Sequence, residues 1–131
     1  MDDFEHARAM LRMAHKDFNA LTGMRDNTLF ADEIFGFHAQ QAVEKALKAR
    51  LCAYGIDYPL THDLARLLTL LEKTGAEIEP FWPLVQFTIF AVQARYEEGL
   101  TALDEPLERI VEIENVRALL VATEKAITAK S

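Results

Sequence analysis

The clearest hydrophobic pattern in the chain lies between residues 35 and 54. At 100° per residue, one broad apolar arc is formed by Phe35, Ala39, Ala42, Val43, Ala46, Leu47, Ala49, Leu51, Ala53 and Tyr54. Gln40 and Arg50 fall inside this arc, where each needs a polar partner. Glu44 and Lys48 stand four residues apart, and we place both on the outer face. The pattern predicts a helix whose apolar face packs into the core.

Similar patterns along the rest of the chain predict further helices. With the one just described, the predicted helices span about residues 3–22, 29–54, 61–74, 81–94 and 104–131. Gly55 suits the left-handed position that closes the second helix, and Thr61 is a good N-cap for the third. Asp104 caps the last helix, with Pro106 in its first turn. No segment alternates apolar and polar residues as a strand would. The predicted fold is all-α: one domain, 1–131, forming an antiparallel up-and-down bundle of four to five helices.

The segment 81–94 is the most apolar part of the chain. It is shorter than the roughly 20 residues needed to span a bilayer, so we expect a buried helix and no membrane association. Read as an α-helix, it has apolar side chains in nearly every direction, more than one bundle core can cover. We therefore predict a homodimer whose interface includes Phe87, Ile89 and Phe90.

Composition and charge narrow the function classes. A net charge of −7 argues against a protein that coats nucleic acid, although a local basic patch remains open. Cys52 is the only cysteine, which excludes an intrachain disulfide and fits a reducing compartment. Without an export signal at the N-terminus, we expect a cytoplasmic protein. The chain has no Glu-x-x-His pair and no phosphate-binding glycine loop, so we expect no metal and no cofactor.

Three motifs together resemble a known family. They are Phe37-x-x-Gln40-Gln41-Ala42-x-Glu44-Lys45-Ala46-Leu47-Lys48-Ala49, then Thr61-His62-Asp63-Leu64-x-x-Leu67, then Ala94-Arg95-Tyr96. This combination resembles the HEPN domain family, named for higher eukaryotes and prokaryotes nucleotide-binding. The resemblance implies a helical bundle that pairs through its C-terminal helices. It also implies a minimal nucleotidyltransferase as partner, and in some members RNA cleavage as a toxin.

The nuclease motif of that family is incomplete here. Nuclease members resemble one another in an arginine followed after four to six residues by histidine, and Arg95 is the matching arginine. The histidine positions hold Leu100, Thr101 and Ala102. Because a general acid or base is missing from the motif, we assign no catalytic residue and leave enzymatic activity open.

The resemblance and the residue chemistry together suggest a nucleotide-binding site. Its candidate residues are His62, Arg95, Tyr96, Lys45 and Lys48. All of them except Arg95 have a simpler explanation: a helix start for His62, packing for Tyr96 and a solvated face for the lysines.

Three functions remain in view. The first is a nucleotide-binding or substrate-presenting adaptor that acts with a minimal nucleotidyltransferase in a toxin–antitoxin-like module. The second is an RNA-cleaving toxin with a diverged site. The third is a purely structural interaction bundle.

Overall fold

The computed structural model describes residues 2–26, 28–91 and 107–131, and the account below concerns these ranges. Its helices are α1 (Asp3–Gly23), α2 (Asp32–Ala53), α3 (Leu64–Glu72), a 3-10 helix η1 (Glu79–Phe90) and α4 (Arg109–Lys130). The predicted all-α fold is confirmed. Within the described ranges, none of the helices is long and apolar enough to cross a membrane.

The helices α1 and α2 form the antiparallel pair on which the bundle is built. The stripe that predicted α1 faces the core: Phe4 is half-buried, and the buried members are Ala7, Leu11, Ala14, Phe18 and Leu21. Polar contacts fix the register: the Cys52 thiol donates to the carbonyl of Asp3 at 3.4 Å. Halfway along, Lys45 Nζ donates to the Asp17 carboxylate at 2.6 Å. The alanines of α2 face the core and allow this close packing.

The connection between α2 and α3 is an extended return rather than a tight turn. Gly55, with φ of +73°, ends α2 as predicted. The chain then runs back along α2, as shown by the hydrogen bond that Gln40 of α2 donates to the carbonyl of His62. The N-cap of α3 is Asp63, whose carboxylate accepts from two main-chain N–H groups, whereas Thr61 had been predicted as the cap. Thr61 instead accepts a hydrogen bond from the N–H of Asp63.

The apolar segment after α3 folds as a 3-10 helix, and this changes which side chains it buries. With about three residues per turn, one face contains every third position, namely Ile78, Phe81, Leu84, Phe87 and Phe90, and all five are buried. One core therefore covers this face. The expectation that apolar side chains of this segment point in nearly every direction, on which the predicted interface was based, is wrong. Phe87 and Phe90 are 0% and 1% exposed, so they are core residues of the protomer, while Ile89 is 43% exposed.

The end of η1 is held against α2 by close packing. The ring of Phe90 lies against the bare backbone of Gly36, so closely that a Cβ at that position would overlap the ring. Glycine is therefore required there by space, since its backbone sits within an ordinary helix.

A buried arginine holds the start of α4. Arg109 donates to the carbonyls of Met24 at 2.9 Å and Phe30 at 2.7 Å, and to the carboxylate of Asp32 at 2.8 Å. Its guanidinium also lies 4.9 Å from the ring centroid of Phe35. These contacts tie α4 to the connection between α1 and α2. The predicted cap and proline of the last helix, Asp104 and Pro106, lie outside the described residues.

Candidate functional site around His62

A carboxylate buried on α2 is the centre of the candidate site. Glu44 is 7% exposed, and its Oε1 accepts hydrogen bonds from His62 Nδ1 and Gln40 Nε2, both at 2.7 Å. Its Oε2 accepts from Lys48 Nζ at 3.0 Å. Gln41 supports the arrangement by donating to the side-chain oxygen of Gln40 at 2.7 Å. The predicted outer position of Glu44 and Lys48 is therefore wrong, because both side chains are buried.

These contacts set the ionisation of Glu44. Burial by itself raises the pKa of the carboxyl, but the hydrogen bonds that it accepts outweigh burial, and the net pKa lies below its ordinary value. The largest of the opposing effects is the hydrogen bond from His62, followed by those from Gln40 and Lys48. At neutral pH the group is thus a carboxylate, which can only accept hydrogen bonds.

The ionised carboxylate fixes the tautomer and orientation of His62. Because Glu44 can only accept, the proton of the contact lies on His62 Nδ1. The other ring nitrogen, Nε2, has no partner in the described ranges, and the side chain is 54% exposed. A neutral ring then offers a lone pair at Nε2 that can take a proton, and a protonated ring offers an N–H that can donate to an oxyanion. The pair is suited to proton transfer or to anion binding.

The surroundings of His62 are held by the neighbouring elements. One residue away, Asp63 caps α3 and accepts from the N–H of Ala65 at 3.1 Å. The N–H of Leu64 donates to the hydroxyl of Thr88 at 3.2 Å, which connects the start of α3 to η1. On the other side of η1, Gln86 donates to the buried Glu112 of α4 at 2.6 Å. The imidazole therefore projects from a fixed frame of three helices.

The two candidate lysines have partners within the chain. Lys48 pairs with Glu44 and lies 5.4 Å from the ring centroid of Tyr58, and its side chain is only 10% exposed. It is not a free surface cation. Lys45 pairs with Asp17, whose second oxygen is 3.0 Å from His38 Nδ1. The structure thus places the lysines in ion pairs and brings only Lys48 into the cluster around His62.

Two of the predicted site residues, Arg95 and Tyr96, lie outside the described residues, and one residue of the site was not predicted. Sequence reasoning missed Glu44 as the group that orients His62, although one signal was present. Gln40, Glu44 and Lys48 are spaced four apart, so they form one polar line on α2 that begins inside the apolar arc.

Metal and thiol chemistry receive no support from the described part of the chain. No group of three or more His, Cys, Asp or Glu side chains there is arranged to hold a metal ion. Cys52 is buried, and burial together with Asp3 and Asp57 raises the pKa of its thiol. A thiol of raised pKa is a poor nucleophile at neutral pH.

Comparison with protein families identifies the class of this chain. The HEPN domain matches residues 7–129, which is nearly its whole length. The chain therefore belongs to the HEPN domain family, as the three motifs suggested. Searches of curated proteins and of solved structures gave no match.

Proposed function

We propose that this chain is a nucleotide-binding or substrate-presenting adaptor that acts with a minimal nucleotidyltransferase in a toxin–antitoxin-like module. Membership of the HEPN family supports the part of this proposal that concerns nucleotide binding. The observation that carries the proposal is the contact between Glu44 and His62, which leaves Nε2 exposed beside the start of α3. In its protonated state this ring can donate to a phosphate oxygen while Glu44 neutralises part of its charge.

Arg95 and Tyr96 belong to the proposal on sequence grounds. Both come a few residues after the end of η1 in the chain, and the Thr88 hydroxyl near that end contacts the start of α3. An arginine near His62 would add a bidentate phosphate donor, and a tyrosine would add a surface for a base. Lys45 and Lys48 enter the site only as charges that already have partners, so we expect them to contribute less.

RNA cleavage is the second candidate, and the same contact favours it. A carboxylate holding Nδ1 of an imidazole, with Nε2 free, is an arrangement that general bases use. His62 would then replace the histidine that the C-terminal motif lacks. The adaptor remains the first choice because the chain departs from the nuclease motif.

A homodimer is part of the proposed assembly. Ile89 and Trp82, both on η1, are 43% and 44% exposed and offer apolar surface for a partner. Of the three predicted interface residues, Ile89 is the one accessible in the described structure.

We expect Ile89→Asp to convert a dimer into monomers in sedimentation, and Met13→Asp on α1 to leave the dimer unchanged. A wild-type monomer at micromolar concentration would remove the dimer from the proposal.

Titration calorimetry with nucleotides, with and without a minimal nucleotidyltransferase, tests the adaptor function. We expect His62→Ala to weaken binding about tenfold, as the loss of one charged hydrogen bond does, and the exposed His15→Ala to have no effect. Equal affinities for wild type and His62→Ala would contradict the site assignment.

An RNA cleavage assay on the same proteins decides between the candidates. The adaptor predicts no cleavage above background. The second candidate predicts cleavage that falls by about 10² to 10⁴ in His62→Ala, the usual contribution of a general acid or base.

A further inference from the structure

A cavity separate from the candidate site lies at the end of the bundle where α2 and α4 end. Its volume is about 360 Å³, and its lining includes Arg50, Tyr54, Lys130 and the turn formed by Thr74, Gly75 and Ala76. This volume falls in the range of small-molecule sites. The cavity shares no residue with the cluster around His62.

Two cations of this cavity lie over the same aromatic ring. The guanidinium carbon of Arg50 is 5.6 Å from the ring centroid of Tyr54, and Nζ of Lys130 is 5.1 Å from it. Arg50 Nε donates to the Tyr54 hydroxyl at 2.9 Å, which fixes the guanidinium beside the cavity. Its two terminal amino groups have no protein partner in the described part of the chain. Neither cation forms an ion pair there.

Helix dipoles explain part of this arrangement. Arg50 and Lys130 stand in the last turns of α2 and α4, where the partial negative charge of a helix C-terminus attracts a cation. Each helix end supplies only about half a charge, however. Acidic residues outnumber basic ones by 21 to 14. Among the described residues that line the cavity there are nevertheless two cationic side chains and no Asp or Glu. An anion from outside would complete their pairing.

We propose that this cavity binds the phosphate of a phosphomonoester. Such a group carries a charge of about −1.5 to −2 at neutral pH, which matches two cations, whereas a carboxylate would leave one unpaired. The free amino groups of Arg50 can grip two phosphate oxygens while Lys130 contributes a point charge. Because both cations lie over the ring of Tyr54, that ring is not a platform for a base. Recognition is therefore of the phosphate, and the rest of the ligand extends into the open side of the cavity.

Phosphorus NMR titrations of the full chain test this proposal, with inorganic phosphate and adenosine monophosphate as probes and acetate as competitor. Lys130→Gln removes one exposed charge. Arg50→Lys keeps the charge but removes the paired amino groups of the guanidinium that can bind two phosphate oxygens. We expect each to weaken binding about tenfold, the loss of one charged hydrogen bond. Lys125→Gln, an exposed lysine on the same helix, is the matched control and should bind as the wild type does.

The outcomes are distinct. Binding of both probes supports a general phosphate site, and binding of the nucleotide alone supports a site for the larger phosphomonoester. The proposal is overturned if neither probe binds, if acetate competes as well as phosphate, or if Lys130→Gln and Arg50→Lys bind as tightly as the wild type. Thermal unfolding of each variant verifies that it is folded. Repeating the titrations in the His62→Ala chain removes the proposed adaptor site. The weakening by Lys130→Gln should persist in that background, which separates the cavity from the adaptor site.

Discussion

Two buried charges, Glu44 on α2 and Arg109 on α4, are satisfied in different ways. Arg109 is 6% exposed, and most of its hydrogen bonds go to main-chain carbonyls of the connection between α1 and α2. Glu44 is 7% exposed, and its hydrogen-bond partners among the described residues are all side chains, one of which is a half-exposed histidine. Burial is thus the same for both charges, and the identity of their partners differs.

This difference separates a structural charge from a functional candidate. Carbonyl groups cannot change their protonation state, so three of the four hydrogen bonds that Arg109 makes to described residues only hold the chain in place. The fourth is an ion pair with Asp32 at the start of α2, which holds the same connection. The cluster of Glu44 ends at an imidazole that can exchange protons and contact a ligand. Buried charges are therefore informative about function when their partners lead to the surface.

The largest effect on stability is expected at Arg109. We expect Arg109→Met to lower the free energy of unfolding by about 3 kcal/mol, because buried carbonyls lose a charged donor. Urea denaturation measures the change. The exposed Arg12→Met is the control and should stay within about 0.5 kcal/mol of the wild type. A loss of similar size in both variants would show that Arg109 is no more structural than a surface arginine.

A smaller loss is expected at Glu44. Glu44→Gln keeps the shape of the side chain but leaves Lys48 buried without its counter-charge, at a cost of about 2 kcal/mol. Glu114→Gln breaks the exposed pair with Arg117 and should cost less than about 1 kcal/mol. If urea denaturation gave equal losses for the two variants, the cluster around Glu44 would not be a buried network.

The same variant has a characteristic dependence on pH. The pKa of Glu44 in the folded chain lies below its ordinary value of 4.5, so its carboxylate contributes stability that is complete above that value. This contribution is lost as the pH falls through the folded pKa. Between about pH 5 and about pH 3, stability should therefore fall less steeply in Glu44→Gln than in the wild type or in Glu114→Gln. Parallel curves would contradict the assigned ionisation.

The smallest effect on stability is expected at His62, where the effect on function should be largest. Its side chain is half exposed and makes one hydrogen bond to the buried Glu44, so we expect His62→Ala to lower the free energy of unfolding by about 1 kcal/mol. The control is His15→Ala. A loss comparable with that of Arg109→Met would make His62 a structural residue and would reverse the comparison between the two clusters.

The sequence by itself determined the helical class and the core faces of the first two long helices. Apolar residues recurring every three or four positions can bury one side of an α-helix only, and the predicted stripe of α1 is the buried one. Gly55 likewise marked the end of α2, because few other residues adopt its positive φ. These features depend on local geometry, which the order of residues specifies.

The tertiary structure decided what covers each face. Glu44 and Lys48 were predicted to be exposed, but the return of the chain between α2 and α3 places His62 and Tyr58 over them. The segment around Phe87 was predicted as an α-helix with 3.6 residues per turn. It is a 3-10 helix with about three residues per turn, and its Phe90 ring packs against Gly36 of α2. A hydrophobic pattern specifies which side chains avoid water, and the contacts between distant segments determine which neighbours provide the cover and which polar groups meet.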